Sequence, residues 1–190
     1  MTNTSMDISE QLKWLGWILG FMLIVEIVNL LTGRMLSAFG VIPRTPSSLG
    51  FIFTAPFIHG SVTHFASNMV TLAVFTALVF QFGRVRFVQV SLLLITLTGL
   101  LVWVFGRSAI HIGASGVIYG YFGYLVLAGM LSRKVTLTLI SIFVAIFYGT
   151  MIFGVLPSSP YISWESHLFG FLSGLIVAYF MRDKAKSTIV

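Results

Sequence analysis

Five polar side chains stand in stretches rich in apolar residues: His64 and Asn68 in HGSVTHFASNMV, Ser115 and Tyr119 in HIGASGVIYGYFGY, and His167 in WESHLFGFLSG. A serine hydroxyl is a poor nucleophile until a neighbouring imidazole accepts its proton, so Ser115 and His167 would form a hydrolytic pair if the fold brought them together. His64 and Asn68, four residues apart, share one helix face. Other hydrolytic chemistries are excluded. Cysteine is absent, no His-Glu-x-x-His zinc motif occurs, and the only aspartates, Asp7 and Asp183, lie at the polar termini. No metal and no cofactor is expected.

The chain that must position these groups has 190 residues, 57% apolar and only 8% charged, with a mean hydropathy of +1.01. A water-soluble domain is nearer a quarter charged, so the solvent here is the bilayer. The net charge of +6 comes from Lys and Arg scattered as ones and twos, which makes no basic stripe for nucleic acid. At about 20 residues per span, the uncharged runs predict an all-α bundle of six transmembrane helices in a single domain, residues 1–190. The expected helices are 13–32, 64–82, 86–105, 114–131, 135–156 and 166–181, joined early by a Pro- and Gly-containing interfacial segment, 33–63. A minimal six-helix form, without a signal peptide, a seventh span or an added soluble domain, is the expectation.

Six spans put both termini on one side, which then carries Lys13, Arg84, Arg86, Arg133, Lys134, Arg182, Lys184 and Lys186 and leaves Arg34, Arg44 and Arg107 opposite. The positive-inside rule makes the termini cytoplasmic. Helices two, four and six then start on the far side, so that His64, Ser115 and His167 share one depth. Gly116, Gly120 and Gly123 in helix four and Gly170 and Gly174 in helix six are small-residue stripes that permit close backbone approach. That approach would set Ser115 against His167.

These residues resemble the rhomboid intramembrane serine proteases. The likeness rests on His59, His64 and Asn68 in a His-x4-His-x3-Asn element, on Gly113, Ser115 and Gly116 in Gly-x-Ser-Gly, on Tyr119, and on His167, Gly170 and Gly174 in His-x2-Gly-x3-Gly. The resemblance implies a serine endopeptidase with a Ser115–His167 dyad and an oxyanion site built from the Ser115 N–H, His64 and Asn68, with Tyr119 packed on the imidazole and Gly113 and His59 in support. It implies single-span membrane proteins as substrates, cut near the non-cytoplasmic end where small residues weaken the helix, and residence in a bacterial inner membrane. Many rhomboids carry a Trp-Arg pair in the first loop; Gly50 and Phe51 stand there instead, so this loop is expected to be anchored differently.

Plainer readings exist for the same residues. Ser115 could be a packing serine, His64 and Asn68 could bond to neighbouring helices, and His59 is as well suited to holding its loop as to touching substrate. Glu26 and Asn29 are expected to bond inward to the bundle, and His111 to be solvated. Glu165 is the only acid near His167. Phe143, Phe147 and Phe153 read as lipid-facing bulk on helix five, with a lateral gate as the alternative and the 157–165 loop as a cap. A non-catalytic client-binding protein is the rival from another class; a transporter would show an internal repeat, and none is visible.

Overall fold

One helix is buried on nearly every face, and the others pack around it. In a computed structural model, which describes residues 6–157 and 162–182, this is α4, Ser115–Leu131, with all of Ser115 to Leu125 buried. The remaining helices are α1 (Ile8–Leu31), α2 (Val62–Phe80), α3 (Arg84–Phe105), α5 (Val135–Tyr148) and α6 (Trp164–Phe180). Four segments, the two longest being α1 and α3, are long and apolar enough to cross a membrane; α4 and α6 have 17 residues each, about 25 Å at 1.5 Å per residue. Asp183, Lys184 and Lys186, and the Pro160 part of the expected cap, lie outside the described residues.

Glycine sets the tightest contacts. A Cβ on Gly170 or Gly174 of α6 would overlap the carbonyl oxygen of Gly116 or Gly120, and one on Gly123 would overlap that of Phe171. The stripe on α4 serves two neighbours: Gly116 and Gly120 offer α6 their carbonyls, while a Cβ on Gly120 would lie 2.8 Å from Leu94 of α3, and one on Gly116 3.1 Å from Thr98. These five glycines thus let one helix be approached from both sides. At the far end of α4, Ser141 of α5 donates to the Leu125 carbonyl.

Two expected boundaries move. The first helix begins at Ile8 instead of 13, because Asp7 caps it by accepting the Glu10 N–H at 2.7 Å. The fifth does not stay α-helical to 156: it ends at Tyr148 and continues as a 3₁₀ segment, Gly149–Val155, so Phe153 lies beyond α5 proper. Between α1 and α2 the chain forms short 3₁₀ segments, Met35–Phe39, Pro46–Phe53 and Ala55–Phe57. In place of a Trp-Arg pair, α3 anchors this loop: the Trp103 indole donates to the Thr45 carbonyl at 3.0 Å, and Arg44 donates to the Gly106 carbonyl at 2.7 Å.

Candidate active site

Ser115 is the first residue of α4 and His167 the fourth of α6, so the glycine seam between these helices brings both to the same end of the bundle. Both line one cavity of about 820 Å³, together with His64, Asn68 and Tyr119. The Tyr119 ring stacks on the His167 imidazole with centroids 4.1 Å apart and planes within 6°, which fixes the plane of the imidazole. His167 Nδ1 is 2.9 Å from the Gly154 carbonyl oxygen. A carbonyl only accepts, so Nδ1 carries the proton and Nε2 keeps the lone pair that a general base needs. No hydrogen bond joins Ser115 to His167 among the described residues, and contacts of this kind often tighten only with substrate bound.

Gly113 adopts φ +114 just before the helix, a conformation that suits glycine. A Cβ there would lie 2.6 Å from His64 Cε1 and 3.6 Å from Asn68 Nδ2. The missing side chain therefore leaves the space in which His64 and Asn68 approach the start of α4. The Asn68 amide nitrogen is buried and has no partner among the described residues. An orphan buried donor is costly, and here its side chain lines the same cavity as the serine.

His59 does not line the cavity; of its two readings the loop-holding one fits its place. It is fully buried, and its Nε2 accepts the Ala114 N–H at 3.4 Å, one residue before Ser115. Burial chiefly, then the nearby His64 and Arg34, push its pKa down to about 4, so near neutral pH it is uncharged and able to accept. Its carbonyl takes two bonds, from Asn29 Nδ2 at 2.9 Å and from Arg34 at 2.9 Å, and Arg34 also pairs with the buried Glu26 at 2.7 Å. The inward bonding expected of Glu26 and Asn29 ends on this loop.

Three features escaped sequence reasoning. His111 is buried, not solvated: its backbone pairs with Val41 in an antiparallel bridge, its Nδ1 is 2.5 Å from Ser163 Oγ and its Nε2 3.0 Å from the Arg107 carbonyl. Ser163 in turn meets Ser166 at 2.6 Å. Glu165, the one acid near His167, is engaged by Arg107 at 3.5 Å, and Arg107 also donates to the Ile162 carbonyl at 2.7 Å. This clasp ties the loop before α4 to the start of α6. Gly154 is the third feature; only its helix-weakening residue type hinted at the 3₁₀ segment that carries its carbonyl to His167. Among the described residues no group of three His, Asp or Glu side chains is placed to hold a metal.

The chain matches the Rhomboid domain over residues 46–184. Uncharacterized proteins of Mycobacterium tuberculosis and Mycobacterium bovis are each 30% identical over 167 residues, covering 83% of this chain and 70% of theirs. One of Mycobacterium leprae is 28% identical over 197 residues, covering 96% of this chain and 78% of its own. The helices that span the bilayer, the glycine seam and the domain match lead to one conclusion: this integral membrane protein belongs to the rhomboid family, known for intramembrane serine proteases.

Proposed function

We propose that the protein is an intramembrane serine endopeptidase that cuts single-span membrane proteins near the non-cytoplasmic end of their transmembrane helix. Ser115 Oγ attacks the scissile carbonyl while His167 Nε2 takes its proton, then returns it to the leaving amine; water attacks the acyl-enzyme and releases Ser115 by the reverse transfers. The developing oxyanion takes hydrogen bonds from the Ser115 N–H, His64 and Asn68. Tyr119 and the Gly154 carbonyl hold the imidazole, so the base works as a dyad without a carboxylate. The observation that carries this reading is the Ser115 and His167 pair on one cavity wall beside the orphan Asn68 donor.

The termini are assigned to the cytoplasm and the protein to a bacterial inner membrane. The charge asymmetry supports this orientation, and each arginine at the Ser115 end is engaged: Arg34 by Glu26, Arg44 by the Gly106 carbonyl, Arg107 by Glu165. A peptide bond must leave helical geometry to reach Ser115, which favours substrates with small or helix-weakening residues there. Incubating the detergent-purified protein with a panel of single-span membrane proteins should give discrete cleavage, lost in Ser115→Ala and His167→Ala. Robust cleavage by either variant would contradict the dyad. A protein that only escorts membrane clients would bind panel members and cut none.

A further inference from the structure

The cavity at Ser115 reaches deeper into the bundle than the proposed chemistry requires. His64, Ser67, Asn68 and Thr71 all line it, and at offsets of three, four and seven they form one polar stripe along a face of α2. Counted from Val62, Thr71 is the tenth of the 19 residues of that helix, so the stripe runs to the middle of a span. The next position on it, Phe75, is apolar and fully buried, and its ring meets that of Tyr148 edge-on at 4.8 Å. Hydroxyls inside a bilayer commonly bond across to a neighbouring helix. These two stay within α2: Ser67 donates to the His64 carbonyl at 3.0 Å and Thr71 to the Ser67 carbonyl at 3.3 Å, and among the described residues neither reaches another element. Such back-bonding adds nothing to helix stability, but it commits each hydroxyl proton and leaves the oxygens, in the cavity wall, with lone pairs that accept. At the head of the stripe stands Asn68, 7% accessible, with its amide nitrogen unpartnered among the described residues. A buried orphan donor and two unspent acceptors on one wall point to a polar ligand.

On the reading that this cavity cuts transmembrane helices, we propose that Ser67 and Thr71 select substrates by accepting hydrogen bonds from the backbone N–H groups of the residues just past the scissile bond. That segment has to leave helical geometry to reach Ser115, and inside a bilayer every N–H it frees is costly until a new partner replaces the lost one. Thr71 lies three residues past Asn68, about 4.5 Å deeper at 1.5 Å per residue. An extended chain, at about 3.3 Å per residue, covers that distance by the second residue past the cut. Because the stripe reads main chain, it tolerates a range of side chains there and disfavours proline, which has no N–H.

The test measures cleavage by the full chain in proteoliposomes with two probes: the single-span panel member that the wild type cuts fastest, and a soluble peptide that spans the same cut but ends one residue beyond it, short of Thr71. Thr71→Val keeps the side-chain shape and removes the acceptor. It should slow the membrane substrate about three-fold, the equivalent of about 0.6 kcal/mol for one hydrogen bond between membrane helices, and leave the peptide at the wild-type rate. Adding Ser67→Ala should bring the loss on the membrane substrate to about ten-fold, with thermal unfolding checking that each variant is folded. Thr71→Ser, which restores an acceptor, should cut faster than Thr71→Val. Thr63→Val, exposed on the same helix and outside the cavity, should match the wild type. Replacing Ser, Thr or Asn residues past the cut in the substrate by Ala should leave the Thr71→Val penalty in place; its disappearance would assign the contact to substrate side chains and overturn the main-chain reading. Equal slowing of both probes by Thr71→Val, or no slowing of the membrane substrate by the double variant, would overturn the proposal and leave the Ser115 reading standing. A wild type that cuts no panel member would overturn the protease reading, and this inference with it.

Discussion

The two walls of the Ser115 cavity are built on opposite principles. The seam between α4 and α6 is backbone against backbone: Gly170 and Gly174 leave no room for a methyl group, so the helices have one register. Across the cavity, α5 and its 3₁₀ continuation bury only Leu137, Ser141 and Val144 and expose Ile146, Phe147 and Phe153. Interdigitated backbone is stiff because any shift meets hard contacts; Gly129 seats the start of α5 on α4 in the same way, whereas the 3₁₀ continuation beside the cavity buries no residue and has few such contacts to break. Ser115 and His167, the proposed nucleophile and base, stand on the stiff side. Yet the Gly154 carbonyl that fixes the His167 tautomer belongs to the other wall, so the His167 ring is tied to the position of both walls.

The strongest way to break this contrast is to put bulk in the seam. Gly170→Leu should destabilise the fold by about 1–3 kcal/mol, the usual range for overpacking, and lower activity by roughly 100-fold or more, since about 1 Å of misplacement suffices for that. Gly149→Ala, where an added Cβ meets nothing within 4 Å, should be neutral or stabilising by up to about 1 kcal/mol. Thermal melts and cleavage rates read both; similar effects would erase the distinction between the walls.

Next in size is Asn68→Ala. Removing one preorganised oxyanion donor costs about 2.7–4 kcal/mol, or roughly 100- to 1,000-fold in kcat. Because the amide nitrogen has no partner to abandon, thermal stability should hold. A wild-type rate would remove Asn68 from the site.

A smaller effect joins the two walls. A Cβ on Gly154 would overlap the Tyr119 hydroxyl, so Gly154→Ala should push the 3₁₀ segment off His167 and slow cleavage by up to roughly 100-fold. Tyr119→Phe keeps the stacked ring and should retain most activity. The double variant should recover part of the loss, because the hydroxyl in the way is gone. Steady-state kinetics on the four proteins give the coupling directly, and strictly additive losses would mean that the hydroxyl is not the obstacle.

Smallest are the trims on the outer wall. Phe143→Ala and Phe153→Ala should speed cleavage of a membrane-embedded substrate a few-fold and leave a short soluble peptide unaffected, if substrates enter past α5. Equal effects on both substrates would place admission elsewhere.

Legibility in the sequence followed the same division. Features written in residue type and period, such as the apolar runs and the Gly170 and Gly174 spacing, were readable because bilayer thickness and helix period leave few alternatives, and the Gly113, Ser115, Asn68 and His167 elements were readable as a likeness to the rhomboid family, which the domain match shows. Features made by long-range backbone contacts were not. The His111 bridge to Val41, the Arg107 grip on Ile162 and the Gly154 carbonyl at His167 depend on where loops end in space, and a carbonyl has no residue type to read. Even the glycine stripe was half legible: that it brings α4 against α6 follows from spacing, whereas its second use against Leu94 depends on α3 arriving from the other side.

The central claim, that Ser115 is the nucleophile, meets a rival in the same cavity, because Ser163 is the serine that holds a hydrogen bond to an imidazole, that of His111 at 2.5 Å. The most direct test is to label the purified protein with a fluorophosphonate, digest it and locate the adduct by mass spectrometry, beside Ser115→Ala and Ser163→Ala. One adduct is expected, on the peptide containing Ser115, lost in Ser115→Ala and retained in Ser163→Ala. An adduct on Ser163, or labelling that survives Ser115→Ala undiminished, would contradict it.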